Sequence, residues 1–108
     1  MSDSSAEVAS HPLSDLDTLI HAPARLMLLT ILYVVEAADF ALLANQAGLS
    51  SGNLSTHLSK LEEADYVEIE KSFRGKRPHT MIRLTEVGRR AFRLYREQMQ
   101  QALEALPE

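Results

Sequence analysis

Between Asp39 and Leu61 the chain carries two short amphipathic helical patterns with only Gly48-Leu49-Ser50 to turn between them. Phe40, Leu43 and Ala47 share one face of the first pattern, and Leu54, Leu58 and Leu61 form one stripe of the second. Asp39 can cap the first helix and Ser50 the second. Gly48 can end the first in the left-handed conformation. So tight a turn makes the two helices cross and bury their stripes together, as a helix-turn-helix.

The flanking segments complete the frame. Pro23 sits where a helix can begin, and residues 24–37 are apolar nearly all round, through Leu26, Met27, Leu28, Leu29, Ile31, Leu32, Val34 and Val35. Such a helix is buried on more than one side, and a chain of 108 residues has one modest core. A second subunit is its natural cover. Ser14 predicts a short preceding turn of helix through Ile20, and residues 1–12 read as a disordered tail. After Asp65 the period changes to two: Val67 and Ile69 alternate with Glu68 and Glu70. Residues 74–79, Arg-Gly-Lys-Arg-Pro-His, read as a loop, and residues 80–84 as a returning strand. Thr85 caps a last helix over about residues 85–106, striped by Val87, Ala91, Tyr95, Met99, Ala102 and Leu106 and widened by Phe92 and Leu103. The expected fold is mainly α with a small β-hairpin: a winged helix-turn-helix with an added C-terminal helix, in one domain over residues 13–106.

A formal net charge of −4 argues against nucleic acid, but its distribution does not. Residues 1–70 hold eleven acidic side chains against Arg25 and Lys60, whereas residues 71–96 hold nine basic ones against Glu86 alone. A phosphate backbone feels the field within a Debye length, about 8–10 Å, rather than the total. The longest apolar run falls well short of the roughly 18 residues of a membrane span, and the N-terminus lacks a signal-like apolar core. Cytoplasmic residence is the expectation.

Two features can carry function. The helix of residues 50–64 turns Leu54, Leu58 and Leu61 inward, which leaves Ser51, Gly52, Asn53, Thr56, Ser59, Lys60 and Glu63 outside, with Ser55 and His57 on the flanks. Short hydrogen-bonding side chains with little bulk suit close approach to base edges in a major groove about 12 Å wide. Asn53 can pair with adenine, and Lys60 can meet phosphate. The second feature is the hairpin tip, where Arg74, Lys76 and Arg77 stand together with His79 and no acid. Arginines on such a tip can lie in a narrow, strongly negative minor groove.

Enzyme classes lack support. The chain has no cysteine, and His11, His21, His57 and His79 are scattered beyond metal-ligand spacing. No phosphate-binding loop, nucleophile elbow or paired acid and base is present. No cofactor or metal is expected.

The pattern Gly48-Leu49-Ser50, Leu54-Ser55, His57-Leu58 and Leu61-Glu62, then a basic hairpin and Leu84-Thr85-x-x-Gly88, resembles the winged-helix regulators of the MarR/ArsR type. Short MarR-like proteins are the nearest subgroup. Matching segments at residues 20–29, 39–44, 48–64, 66–71, 75–80 and 84–92 spread the resemblance over most of residues 16–106. It implies a homodimer built from the first and last helices, bound to a two-fold symmetric operator, usually as a repressor. By position it implies that residues 51–60 form the recognition helix and residues 74–79 the wing. Leu28, Leu32, Val35, Tyr95, Met99, Leu103 and Leu106 are the expected dimer contacts. The family usually has Gly where this chain has Asp65, a site that often needs a left-handed backbone.

The main expectation is thus a sequence-specific regulator of double-stranded DNA. The alternative is a winged helix that docks on a protein, favoured by the acidic total and by Glu62, Glu63, Glu68 and Glu70. A small-molecule effector pocket lined by Tyr33, Phe92 and Tyr95 is a third possibility.

Overall fold

The computed structural model describes residues 13–107; the tail expected over residues 1–12, with His11, lies outside them. Helix α1 (Pro23–Val35) starts with its proline in the first turn, as expected. It stops two residues early, because Glu36 adopts φ 71°. That costly backbone is pinned from both sides. Glu36 N–H donates to Leu32 O at 2.8 Å, and its carbonyl accepts from Leu84 N–H at 3.0 Å. The chain then enters a strand, β1 (Ala37–Asp39), where the sequence suggests a helix end and a cap. Three residues of Ala-Ala-Asp are too few, and too poor in β-branched side chains, to show a period.

Asp39 caps α2 (Phe40–Ala47) by accepting from Leu42 N–H at 2.7 Å. Gly48 closes it in the left-handed conformation at φ 68°. Ser50 caps α3 (Ser51–Glu63) by accepting from Asn53 N–H at 3.2 Å. Asp65 has φ 66°, the left-handed backbone expected there.

The hairpin is β2 (Val67–Arg74) and β3 (Arg77–Leu84), antiparallel from Val67↔Leu84 to Arg74↔Arg77. The expected six-residue loop is therefore only Gly75 and Lys76. Gly75 alone of the two has positive φ, 63°, the pattern of a II′ turn with glycine first. Pro78, a loop marker in the sequence, lies within β3. It is tolerated there because β1 pairs only with Met81, Ile82 and Arg83. Beyond them this side of β3 is an open edge, and no ladder bond needs the missing N–H. The sheet order is β1-β3-β2.

Thr85 caps α4 (Glu86–Glu104) by accepting from Gly88 N–H at 2.9 Å. Its own N–H donates to Tyr66 O at 3.1 Å, which clamps α4 onto the start of β2. The clamp explains Gly88: a Cβ there would lie 2.2 Å from Tyr66 O. The first turn of helix predicted from Ser14 is absent. Residues 13–15 and 18–20 are turns instead. Asp17 organises them by accepting from Leu19 N–H at 2.9 Å and Ile20 N–H at 3.2 Å.

Ile20, Leu29, Leu43, Leu54, Leu61 and Ile82 are among the fully buried side chains of one core, which α1, α2, α3 and the inner face of the sheet share. The expected dimer contacts divide. Leu28, Leu32 and Tyr95 are buried in this core, so they are not available to a partner, and the expectation for them is corrected. Val35, Leu103 and Leu106 are exposed, and Met99 is half-buried. The largest apolar exposure on α1 is at Val34, 77%, which the helical pattern alone does not single out. Among the described residues no helix is long and apolar enough to cross a membrane.

Candidate nucleic-acid interface

Helix α3 presents the face its periodicity predicts. Leu54, Leu58 and Leu61 are buried, while Ser51, Gly52, Asn53, Ser55, Thr56 and Lys60 are exposed. Thr56 Oγ1 donates back to Gly52 O at 3.1 Å, which uses its hydrogen but leaves its oxygen free to accept. A Cβ at Gly52 would meet nothing within 4 Å, so the fold does not require glycine there. Its absent side chain instead leaves the outer surface of the first turn low and open.

His57 is half-buried and turned toward α1. Its Nδ1 lies 3.2 Å from an Arg25 guanidinium nitrogen, and Arg25 Nε donates to Leu19 O at 2.6 Å. Guanidinium N–H groups only donate, so Nδ1 accepts and the neutral ring carries its proton on Nε2. Burial lowers the His57 pKa, and the charges of Arg25 and Lys60 lower it further. At neutral pH His57 is an uncharged donor on the flank of α3, not a cation.

The wing shows what the sequence could not. Its ladder sorts side chains onto two faces. Val67, Ile69, Lys71 and Phe73 share the inner face with Leu84, Ile82, Thr80 and Pro78. Glu68, Glu70, Ser72 and Arg74 share the outer face with Arg83, Met81, His79 and Arg77. Arg74, Lys76 and Arg77 are exposed at the tip. Arg74 and Arg77 stand directly opposite each other, a like-charge pair that destabilises the free protein. No acidic residue occurs between Lys71 and Thr85. His79 departs from the others. It lies in β3, half-buried, in a cleft with Asp39 and Phe40, and its Nε2 is buried without a partner among the described residues. It is not part of the tip.

Wing and helix face one another across an open cleft of about 390 Å³, with Ser55, Ser59 and Glu62 on α3 and Ile69, Lys71 and Thr80 on the sheet. The basic face of α4 is partly structural: Arg89 lies 4.5 Å and Arg96 5.7 Å from the centre of the Tyr33 ring. Tyr33 packs on Phe92 at 5.3 Å, and Phe92 on Tyr95 at 6.4 Å. Phe92 and Tyr95 are core residues, which removes them from the effector pocket considered above. Tyr95 is held by His21, Nδ1 to hydroxyl 2.8 Å, and burial raises its pKa. The Tyr66 hydroxyl donates to Asp17 Oδ2, and burial, that bond and the Asp17 charge push its pKa up to about 12. These contacts tie residues 13–22 to the body. The described residues contain no cluster of three metal-ligating side chains.

Comparison with known proteins agrees with this geometry. The Winged helix DNA-binding domain family matches residues 24–103. The uncharacterized protein MJ0432 of Methanocaldococcus jannaschii is 39% identical over 77 residues, covering 71% of this chain and 84% of that protein. A transcriptional regulator homologue from Pyrococcus horikoshii OT3 superposes with TM-score 0.74 at 23% identity, over 98% of this chain and 99% of that one. Reduced AbfR, solved bound to DNA, superposes with TM-score 0.67 at 19% identity, over 98% of this chain and 71% of that one. A MarR-family regulator from Silicibacter pomeroyi has the same fold, with TM-score 0.62 at 18% identity, over 96% of this chain and 69% of that one. The chain belongs to the winged-helix DNA-binding domain family.

Proposed function

We propose that this chain is a sequence-specific transcription regulator, a repressor that binds a palindromic DNA operator as a homodimer in the cytoplasm. Helix α3 enters the major groove. Ser51, Asn53, Ser55 and Thr56 offer short polar groups to base edges, His57 donates from Nε2, and Lys60 meets phosphate. The wing reaches the adjacent minor groove with Arg74, Lys76 and Arg77. The observation that carries this reading is the pairing of an exposed, low polar helix face with a basic hairpin end beside it, free of acids from Lys71 to Thr85. The opposed Arg74 and Arg77 add to it, since a polyanion between or beside them relieves their repulsion. AbfR, which shares the fold, has been solved on DNA. The homodimer is supported by the apolar side chains left exposed: Met27, Val34 and Val35 on α1, and Leu94 and Leu103 on α4.

The test is fluorescence anisotropy with a random-sequence duplex at low and at physiological salt. Binding should weaken steeply with salt and reach a non-specific Kd of roughly 10⁻⁴–10⁻⁶ M at physiological salt. A folded protein with no affinity for the duplex at low salt overturns it and returns the protein-docking alternative, with exposed Glu62, Glu63, Glu68 and Glu70 as its surface.

A further inference from the structure

One side chain on the wing fits neither the charge pattern nor the core. Phe73 is 72% exposed, near the end of β2, two residues before the turn. It pairs across the ladder with Pro78, also exposed. Both lie on the inner face, the face that Val67, Ile69, Ile82 and Leu84 turn toward the core. Along that face the side chains pass from buried Val67 and Leu84, through Ile69 and Ile82, to Lys71 and Thr80 in the cleft beside α3. The next step outward is the Phe73–Pro78 pair. It therefore projects past the body on the side that α3 occupies, while Arg74 and Arg77 take the opposite face of the ribbon.

We infer that Phe73, braced by Pro78, is a DNA contact: an apolar wedge that packs against the deoxyribose walls or a base step of the minor groove beside α3. This rests on the DNA-binding reading above and adds a residue and a type of contact to it. The choice of partner comes from charge. Phe73 is surrounded in sequence and in the ladder by Lys71, Arg74, Lys76 and Arg77, with no acid from Lys71 to Thr85. That field draws a polyanion and repels a second copy of the same wing. Apolar side chains inserted at the minor groove are a recurrent way to read groove width and step flexibility without base hydrogen bonds. The wing then divides its labour by face, with the cations supplying attraction and Phe73 supplying shape.

The experiment uses two variants of the whole chain. The sequence has no tryptophan, so Phe73→Trp places one indole per chain at the site, excited selectively over the three tyrosines. On addition of duplex DNA its emission should shift to the blue and become protected from acrylamide. Phe73→Ala should lower affinity by roughly 10- to 100-fold for each wing on the DNA, the equivalent of losing one buried aromatic side chain per subunit. It should leave the slope of log K against log salt unchanged, because no counterion is released at an apolar contact. Its melting temperature should match the wild type, since Phe73 is exposed. Full affinity in Phe73→Ala overturns the inference and leaves the broader DNA reading standing. So does an indole signal from Phe73→Trp that is indifferent to DNA while DNA is bound. Protection of the reporter without DNA that grows with protein concentration also overturns it, and assigns the contact to a second copy. Failure of the wild type to bind duplex DNA overturns both, and the wild-type control separates that outcome from the others.

Discussion

Replacing Arg74 and Arg77 together by alanine removes two exposed charges per chain from the end of the hairpin. If each neutralises one phosphate, a dimer loses about four phosphate contacts, and the slope of log K against log salt becomes shallower by about 3.6. At about 0.15 M salt that difference amounts to about a thousandfold in affinity. A monomer on DNA would lose about half the slope change and only about thirtyfold, so the same titration reads the stoichiometry. Folding should not suffer. The two arginines oppose each other in the ladder, and relieving that repulsion adds a few tenths of a kcal/mol of stability or nothing. The assay is anisotropy across a series of salt concentrations, with melting curves as the control. A double variant that keeps the wild-type affinity and slope would refute the role given to the wing cations.

Three glycine exchanges separate stability from binding. Gly52→Ala should raise stability by up to about 1 kcal/mol, because Ala favours helix and the site is open, yet weaken binding by filling the low face of α3; melting and anisotropy should move in opposite directions. Gly88→Ala should lower stability by about 3 kcal/mol, on the order of 15 °C in Tm, because its Cβ would overlap the Tyr66 carbonyl at 2.2 Å; an unchanged Tm would contradict the clamp at Thr85. Asp65→Gly should add about 0.5 kcal/mol by relieving the left-handed backbone at φ 66°, with DNA affinity unchanged, as read by urea denaturation.

The parts of the fold legible in the sequence are those written in local chemistry. Pro23, Asp39, Gly48, Ser50 and Thr85 mark helix boundaries by their own hydrogen bonds or dihedral limits, and each stands where the sequence puts it. The misses are long-range. Strand β1 exists because β3 offers Arg83, Ile82 and Met81 as partners, which nothing in Ala37-Ala38-Asp39 announces. Glu36 keeps a positive φ because Leu84, far along the chain, holds its carbonyl. The first predicted turn of helix gives way to turns that Asp17 caps from within, and Asp17 is itself held by Tyr66. Pro78 is a misleading signal, since a proline ends a strand only where its N–H is needed. At the site, the exposed residues of α3 follow from its period. The side of Phe73 follows from the same alternation as Val67 and Ile69, but the placement of Arg74, Arg77, Pro78 and His79 does not, because residues 74–79 taken as a loop hide their register. The inward turn of His57 depends on Arg25, 32 residues earlier, and only the packed chain reveals it.

The central claim is that two copies of α3 read a symmetric DNA sequence. Selection of bound molecules from a random duplex pool tests it directly. Two copies of α3 on DNA should enrich a palindrome whose half-sites lie about one helical turn, roughly 34–36 Å, or a multiple of it apart. A folded protein that enriches no sequence, or only a single asymmetric site, would contradict it.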